Sequence, residues 1–549
     1  MKNFTKLFAG LFVMALLLFP TTTQASHLKG GDTYFVCLGN GQYELVFYCY
    51  YACEPGSIAY DDVAADFSWS VTSSCGTVST LITAATASPP TDVPLYCPGV
   101  LTQCDYYDPN NPSGPYAGAP ANAPIGTLVI TYTSAPFAIP PGCTVSATMD
   151  FSARNAAISN LQNPGSYDIN ITATVTAPAD GSCNTNPQFA QYPVNVFCVN
   201  QNANFSQGAI DLNGDSLTYT LINPQTAGGS AVPFVTGCTP ADPMGVNGGT
   251  GFASSFTFNS STGNINFTPT AVGDYVLAVQ VDAFHNGVLV GSTMRDIQFN
   301  VINCNSNNPP ALVSLLSTAN VSGGTIIDST HVGVCPGATV HINLTSTDPD
   351  AGNYIIDSTN VTQSLIGSTV SVTHTGGTFD TLTLHITWTP LSTDSGFHYF
   401  ILTTRDTTCP NPGRNTYAFV VSVLGGLYAG PNQVYCNGGT PVTIYAAGAN
   451  HYIWTDSATG GPPVNVLSYG PDSSYIVVAP TSVPIGSSVG YVVQGDLIGS
   501  CKNRDTVSVK NAQPFTLHTV AQDSTVCKYS TTVLSTTPNP SNLNPYVYQ

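Results

Sequence analysis

Tyr167, Ile169, Ile171, Ala173 and Val175 alternate with Asp168, Asn170, Thr172, Thr174 and Thr176. A side-chain period of two marks a β-strand with one buried face. Val340, Ile342 and Leu344 repeat the pattern, as do Leu382, Leu384, Ile386 and Trp388. No stretch beyond the first 25 residues shows a comparable period of 3.6. The charged helix formers are scarce, and Asp, which prefers turns and caps, outnumbers Glu 28 to 2, with six Lys and five Arg. Fifty Gly and 41 Pro supply the turns that many short strands need. The expected fold class is all-β, built from tandem β-sandwich modules.

The first 25 residues read as a cleaved signal peptide. Lys2 and Lys6 precede the apolar run Leu7 to Phe19, and Pro20 leads to a small-residue exit at Ala25. No later stretch reaches 18 apolar residues, so no transmembrane segment is expected in the mature chain. Sixteen Cys fit an oxidising compartment. Cys49 and Cys53 have a zinc-like spacing, but no second pair follows and no His is near. A formal net charge of −19 makes nucleic acid a poor partner and suits divalent cations better.

An internal repeat organises the middle of the chain. Ile265-Asn266-Phe267-Thr268-Pro269 returns as Ile386-Thr387-Trp388-Thr389-Pro390, each followed by a Gly and an aromatic strand, at Gly273 and Gly396. Cys198 precedes Asp211 by 13 residues, and Cys335 precedes Asp348 by 13. Arg295 and Arg414 each open a last strand. The reading is a Cys-rich β module at 26–183 and two related sandwiches at 184–304 and 305–424. A third unit at 425–511 has the Cys436, Trp454, Cys501 order of an immunoglobulin-like domain. Residues 512–549, with Cys527, are too short for a sandwich and read as the start of a further module. Pairings that join an early to a late strand within a unit are Cys436 with Cys501 and Cys335 with Cys409. Cys97 with Cys104 is a local candidate. The other cysteines of 26–183 allow too many connectivities to assign.

Several segments resemble the N-terminal module of large Bacteroidetes surface proteins. They are Ser26-His27-Leu28-Lys29-Gly30-Gly31-Asp32, Tyr34, Cys37-Leu38-Gly39-Asn40, Tyr43-Glu44, Arg154-Asn155-Ala156-Ala157-Ile158, Gly208-Ala209-Ile210-Asp211 to Tyr219, and Gly291 with Arg295-Asp296-Ile297-Gln298. The resemblance covers roughly 26–304, and 305–511 as repeat type only. It implies immunoglobulin-like or cadherin-like modules, a secreted or outer-membrane-associated location, and adhesion or surface-filament roles linked to gliding motility. Such proteins typically end in a gliding-motility-associated type IX sorting domain. The 549 residues contain none, so the expectation is a truncated or split product.

Catalytic signals are weak. Gly486-Ser487-Ser488-Val489-Gly490 matches G-x-S-x-G, but Pro484 precedes it and a strand follows, where a nucleophile elbow needs strand then helix. His385 alternates with Thr383 and Thr387 and reads as a solvent-facing strand residue. Glu44 and Glu54 are the only Glu residues, and no phosphate-binding loop or dinucleotide fingerprint is present. The expectation is a non-enzymatic protein whose partners are extracellular ligands, protein or polysaccharide. A polysaccharide-binding accessory region of a secreted hydrolase and a purely structural spacer are the alternatives. Tyr48, Tyr50 and Tyr51, and Tyr106 with Tyr107, are the densest aromatic clusters for sugar stacking, although strand core is the commoner use of such residues.

The acidic turns are the best candidate sites, and calcium is the cofactor they suit. Asp211, Asn213 and Asp215 begin like an EF-hand loop, yet Ser216 stands where Gly is needed and Ile222 where Glu is needed. Asp348 and Asp350 form the matching turn in the next module. A late carboxylate follows each Thr-Pro marker, Asp282 by 13 residues and Asp406 by 16. Two readings stand: ligands for Ca²⁺ at one pole of each sandwich, or plain Asp-Gly and Asp-Pro turns with solvated side chains.

Overall fold

The computed structural model describes residues 28–53 and 67–512, apart from short stretches. Those stretches are 77, 109, 112–115, 153, 194–195, 248–250, 286, 305–306, 424–426, 428, 447–450 and 496–503; the strands Thr516–Ala521 and Leu534–Asn539 are also described. The signal-peptide reading lies outside these residues. The fold is all-β, with tandem β-sandwich modules, and among the described residues helix is confined to short turns such as Val361–Ser364. Contacts divide the chain into two compact units. One holds residues up to 332 with 339–389 and 396–422, and the other holds 333–338, 390–395 and 423 onward.

The first module begins with a hairpin, Leu28–Gly39 and Gln42–Cys53. Asn40 and Gly41 both have positive φ, 52° and 70°, the backbone that a tight twisted hairpin turn requires. The sheet continues antiparallel through Gly126–Ser134, Leu81–Ala87, Ser68–Ser73, Thr144–Phe151 and Ile169–Thr176. Its core holds Phe35, Leu45, Phe47, Trp69, Tyr132, Met149 and Ile171, all fully buried. The alternation in Ile169–Thr176 is now explicit. Ile169, Ile171, Ala173 and Val175 face this core. On the other face Thr172, Thr174 and Thr176 meet Thr148, Ser146 and Thr144 in hydroxyl pairs at 3.0, 2.8 and 2.9 Å.

The opening between the first and last of these strands is sealed by Val288–Ile302 of the next module. One edge of this strand pairs with Ile169–Thr176 at Gly291 to Thr293 and with Leu28–Gly39 at Met294 to Ile297. Its other edge pairs along its length with Gly273–His285. The sheet therefore closes on itself, which removes the exposed edges that would invite pairing with another chain. The boundary predicted at 183–184 does not separate two self-contained folds, and Arg295 lies within this strand rather than at its start.

Arg295 and Asp296 are consecutive and so point to opposite faces of the shared strand. Arg295 meets Asp32 at 2.9 Å, and Tyr50 donates its hydroxyl to the same carboxylate at 2.9 Å. Asp296 takes two hydrogen bonds from Arg154, at 2.9 and 2.6 Å, with both side chains fully buried. Gly30 lies opposite Ile297 with φ +124°, and a Cβ there would stand 1.8 Å from the carbonyl oxygen of Asp296. Only glycine lets the two backbones approach so closely.

The second module packs Ala203–Ser206, Asn264–Pro269 and Ala253–Phe258 over the sheet that contains Ser216–Ile222, Gly273–His285 and Val288–Ile302. Phe197 sits edge-on to Phe205, Phe267 and Phe299, with ring centroids 5.6, 5.0 and 5.6 Å away. The third repeats this plan. The marker strands Asn264–Pro269 and Thr381–Trp388 are both central in their sheets. Val340, Ile342, Leu344, Leu382, Leu384, Ile386 and Trp388 are all buried. In the other compact unit, Gln433–Cys436, Arg504–Ala512, Ser488–Gly495 and Tyr452–Asp456 form one sheet. Val442–Tyr445, Tyr475–Val478 and Val466–Tyr469 form the other, with Trp454 in the core between. Thr516–Ala521 and Leu534–Asn539 pair with each other, and Cys527 lies outside the described residues.

The disulfides differ from all three predicted pairings. Cys104 bonds Cys53, because the capped turn Gln103–Tyr106 lies against the end of Gln42–Cys53. Cys97 bonds Cys409, 312 residues away, so neither Cys97–Cys104 nor Cys335–Cys409 forms. Cys335 is disulfide-bonded to another partner. Cys436 is free and exposed. Its strand runs parallel to Arg504–Ala512, and the alternation buries Tyr435 and turns Cys436 outward. Cys501 lies outside the described residues. Cys37–Cys183, Cys75–Cys143 and Cys198–Cys304 complete the described bridges.

Removing one partner of a buried ion pair leaves the other charge uncompensated, at a cost of about 3–5 kcal/mol. Asp296→Leu should therefore destabilise the unit that contains it by that order in urea titration. Arg154→Met with Asp296→Leu together should cost less than Asp296→Leu alone; a simple sum of the two single effects would show that the pair is not coupled. Non-reducing peptide mapping should recover Cys97 joined to Cys409, and Cys436 should alkylate without reductant.

Candidate functional site

Asp211 is buried where its loop enters Ser216–Ile222. Its Oδ1 accepts the backbone N–H groups of Asn213 and Asp215, at 2.8 and 3.1 Å, and its Oδ2 is buried without a partner. Burial, reinforced by the neighbouring Asp215 charge, pushes its carboxyl up to about 7 against those backbone bonds. Asp215 meets His285 Nδ1 at 2.7 Å. Asn213 is spent on the chain itself. Its Oδ1 accepts from Thr185 N and its Nδ2 donates to Cys183 O, both at 2.9 Å. Asp282 sits opposite Thr218 and Ser292, inside the sheet, and takes a hydrogen bond from Gln280 at 2.8 Å. The late carboxylate predicted for this module thus lies three residues along the strand from His285, the residue that Asp215 meets.

The third module gathers its residues more closely. Asp348 is buried, with Oδ1 accepting Asp350 N at 2.7 Å and Oδ2 buried without a partner. Burial first, then the charges of Asp406 and Asp350, push its carboxyl up to about 6. Asp406 accepts Asn307 Nδ2 at 2.9 Å, Thr408 N at 2.9 Å and Gly413 N at 3.0 Å. Asp350 accepts Asn308 Nδ2 at 3.1 Å, and Asn353 donates to Asn307 Oδ1 at 3.2 Å. A Cβ on Gly413 would stand 2.5 Å from Asp406 Oδ2 and 2.7 Å from Pro309 Cα, so this position keeps the loops close. Three amides therefore join the three predicted carboxylates. The Asn307-Asn308-Pro309-Pro310 run was the signal that could have pointed to two of them. Among the described residues, no group of three or more His, Cys, Asp or Glu side chains is arranged to hold a metal ion by carboxylate, thiolate and imidazole alone.

A second feature had one partial sequence signal, the Tyr48 and Tyr50 cluster, and none for the arginines that face it. A cleft of about 740 Å³ is lined by Tyr48, Tyr50, Tyr96, Tyr192, Arg405 and Arg414, among others. Its walls come from Gln42–Cys53, the 93–98 loop, residues 189–193 and the third module, and the Cys97–Cys409 bridge joins two of these walls. The predicted tyrosine clusters divide. Tyr48 and Tyr50 face the cleft, Tyr51 turns into the first module's core, and Tyr107 packs on Tyr116 at 5.4 Å.

No protein-family model matches the chain, and no curated protein matches it. Solved structures do. A segment of three titin immunoglobulin domains shares 10% identity at a TM-score of 0.22, covering 61% of this chain and 100% of that one. Extracellular cadherin domains of protocadherin gammaB7 share 16% at 0.23, covering 62% and 77%. The ectodomain of mouse nectin-like molecule 4 shares 8% at 0.21, covering 58% and 96%. Among the described residues no helix is long and apolar enough to cross a membrane.

Proposed function

We propose that this chain is a non-enzymatic, secreted or cell-surface protein that acts in adhesion or as a surface-filament component. The observation that carries this reading is the disulfide framework. Bridges tie strands or turns to distant loops within the first and second modules, and Cys97–Cys409 ties the first module to the third. Such bridges persist outside the reducing cytosol, and they stiffen serial sandwiches into a support for exposed loops. The sequence resemblance to Bacteroidetes surface proteins adds outer-membrane association and a link to gliding motility. In the producing organism, antibody to the chain should label intact cells, and deleting the gene should reduce attachment and spreading on a solid surface. Recovery of the chain from the cytosol with reduced cysteines would sink the extracellular placement, and full attachment by the deletion strain would sink the adhesive role.

Calcium belongs to the same proposal. Asp348, Asp350 and Asp406, with the carbonyl oxygens of the neighbouring asparagines, are hard oxygen donors of the kind Ca²⁺ takes. The orphaned Oδ2 of buried Asp348 supports the fit. A bound cation would supply charge neutralisation where carboxylates crowd. The raised native value of Asp348 means that, without a cation, its contribution to stability is full below about 4 and is lost as pH rises through about 6. Millimolar Ca²⁺ should raise the melting temperature of the full chain at pH 7.5, with affinity on the order of 10⁻⁴–10⁻³ M. The gain should shrink at pH 5 and in Asp348→Asn. Superimposable melting curves in Ca²⁺ and in chelator at pH 7.5 would rule calcium out.

A further inference from the structure

The cleft between the first and third modules concentrates positive charge in a chain with a formal charge of −19 and eleven Lys and Arg residues. Three of the five arginines line it. Arg295 is neutralised by Asp32 and lies over the Phe189 ring, 3.7 Å from its centroid. Arg405 and Arg414 are different. Among the described residues neither meets a carboxylate, and Arg414 reaches only the backbone oxygen of Pro94, at 2.9 Å. Burial, and the charge of Arg405 beside it, push Arg414 down to about 10. Like charges held together in a part-buried wall are unfavourable unless an anion sits between them. The one acidic residue on the adjoining strand faces away. In Ile356–Thr359, Ile356 and Ser358 face the cleft, so Asp357 points to the opposite side, opposite Thr404.

The facing wall is aromatic. Tyr192 is 40% exposed and stands edge-on to Tyr48 and Tyr50, with centroids 6.0 and 6.4 Å away. Tyr50 spends its hydroxyl on Asp32, and Tyr96 spends its own on Ile125 O at 3.0 Å, so these rings are held by their hydroxyls. Between the two walls, Gln191 brings an amide and Ser358 a hydroxyl, while buried Thr403 donates its own hydroxyl to Gln191 Oε1 at 3.1 Å and so holds that amide in place. A volume of about 740 Å³ lies within the usual range for small-molecule sites, ~300–1,000 Å³.

We propose that this cleft binds an acidic saccharide, with the carboxylate of a uronate unit between Arg405 and Arg414 and its ring face on Tyr192. The arginines demand an anion, the tyrosine platform offers a flat apolar face, and the small polar groups suit sugar hydroxyls. Titration calorimetry on the full chain, in chelator so that the acidic turns hold no cation, tests this apart from the calcium reading. The probes are trigalacturonate, maltotriose and triglutamate. Trigalacturonate should bind one to one, at least tenfold more tightly than the other two. Arg405→Gln and Tyr192→Ala should each weaken it about tenfold or more while leaving the melting temperature within a degree or two of the parent. Equal binding of maltotriose would remove the role of the anion. Tighter binding of triglutamate would make this a peptide site. No heat with any probe, or binding unchanged in both variants, would overturn the proposal.

Discussion

Two guanidinium–carboxylate pairs, buried back to back on one strand, set the terms for everything around them. Arg295 reaches Asp32 on one face and Asp296 reaches Arg154 on the other. Stranding any of these four charges in the interior would cost several kcal/mol, so a register slip of Val288–Ile302 against Leu28–Gly39 is strongly disfavoured. A slip by one residue would swap the faces and place each charge against the wrong partner. The pairs thus specify register more than they add net stability. Gly30 is the steric counterpart of the same contact, since the carbonyl of Asp296 occupies the space a Cβ would need.

Fixing that strand has consequences on both sides. It seals the first module's sheet, and it supplies the last strand of the second module, whose Cys198–Cys304 bridge closes just beyond it. Residues 189–193 precede the parallel strand Val196–Cys198 on the same edge, and so are held beside Arg295. The wall of the cleft that carries Phe189 and Tyr192 therefore inherits its position from the buried pairs. The opposite wall is tied through Cys97–Cys409 and the bond from Arg414 to Pro94.

What was legible in the sequence was local. Period two marked Ile169–Thr176, Val340–Thr347 and Thr381–Trp388 because one face of each is core. The repeat of the Thr-Pro markers was legible because the same strand is central in both sandwiches. The acidic turns were visible because Asp residues two or four apart cap their own backbone. What was not legible depended on contacts between distant segments. Nothing local to Cys97 points to Cys409, and nothing in Val288–Ile302 says which strands its free edge will meet. Cys436 is a case where two local signals conflict. The alternation of Gln433–Cys436 places Tyr435 inward and Cys436 outward, so the period of the strand, and not the immunoglobulin-like cysteine spacing, decides the fate of this thiol. Asp282 is a similar case, since position along a strand, and not distance from a marker, decides whether a side chain reaches the pole.

The distribution of charge leaves one tension to resolve. Of five arginines, two are consumed in buried pairs, one of them at the cleft wall, and two more stand in the cleft without a carboxylate among the described residues, while thirty acidic residues set the field of the whole chain. An anion approaching from solution meets repulsion at long range and attraction only within the cleft. At physiological ionic strength the Debye length is about 8 Å, so the surrounding acids are screened before the last few ångströms, where the guanidinium groups act at close contact and are screened little. Salt would therefore aid the approach of an anionic ligand more than it weakens the final contact, the reverse of the usual behaviour of a basic site on a basic protein. Cations held at the acidic turns would act in the same direction by lowering the net negative charge.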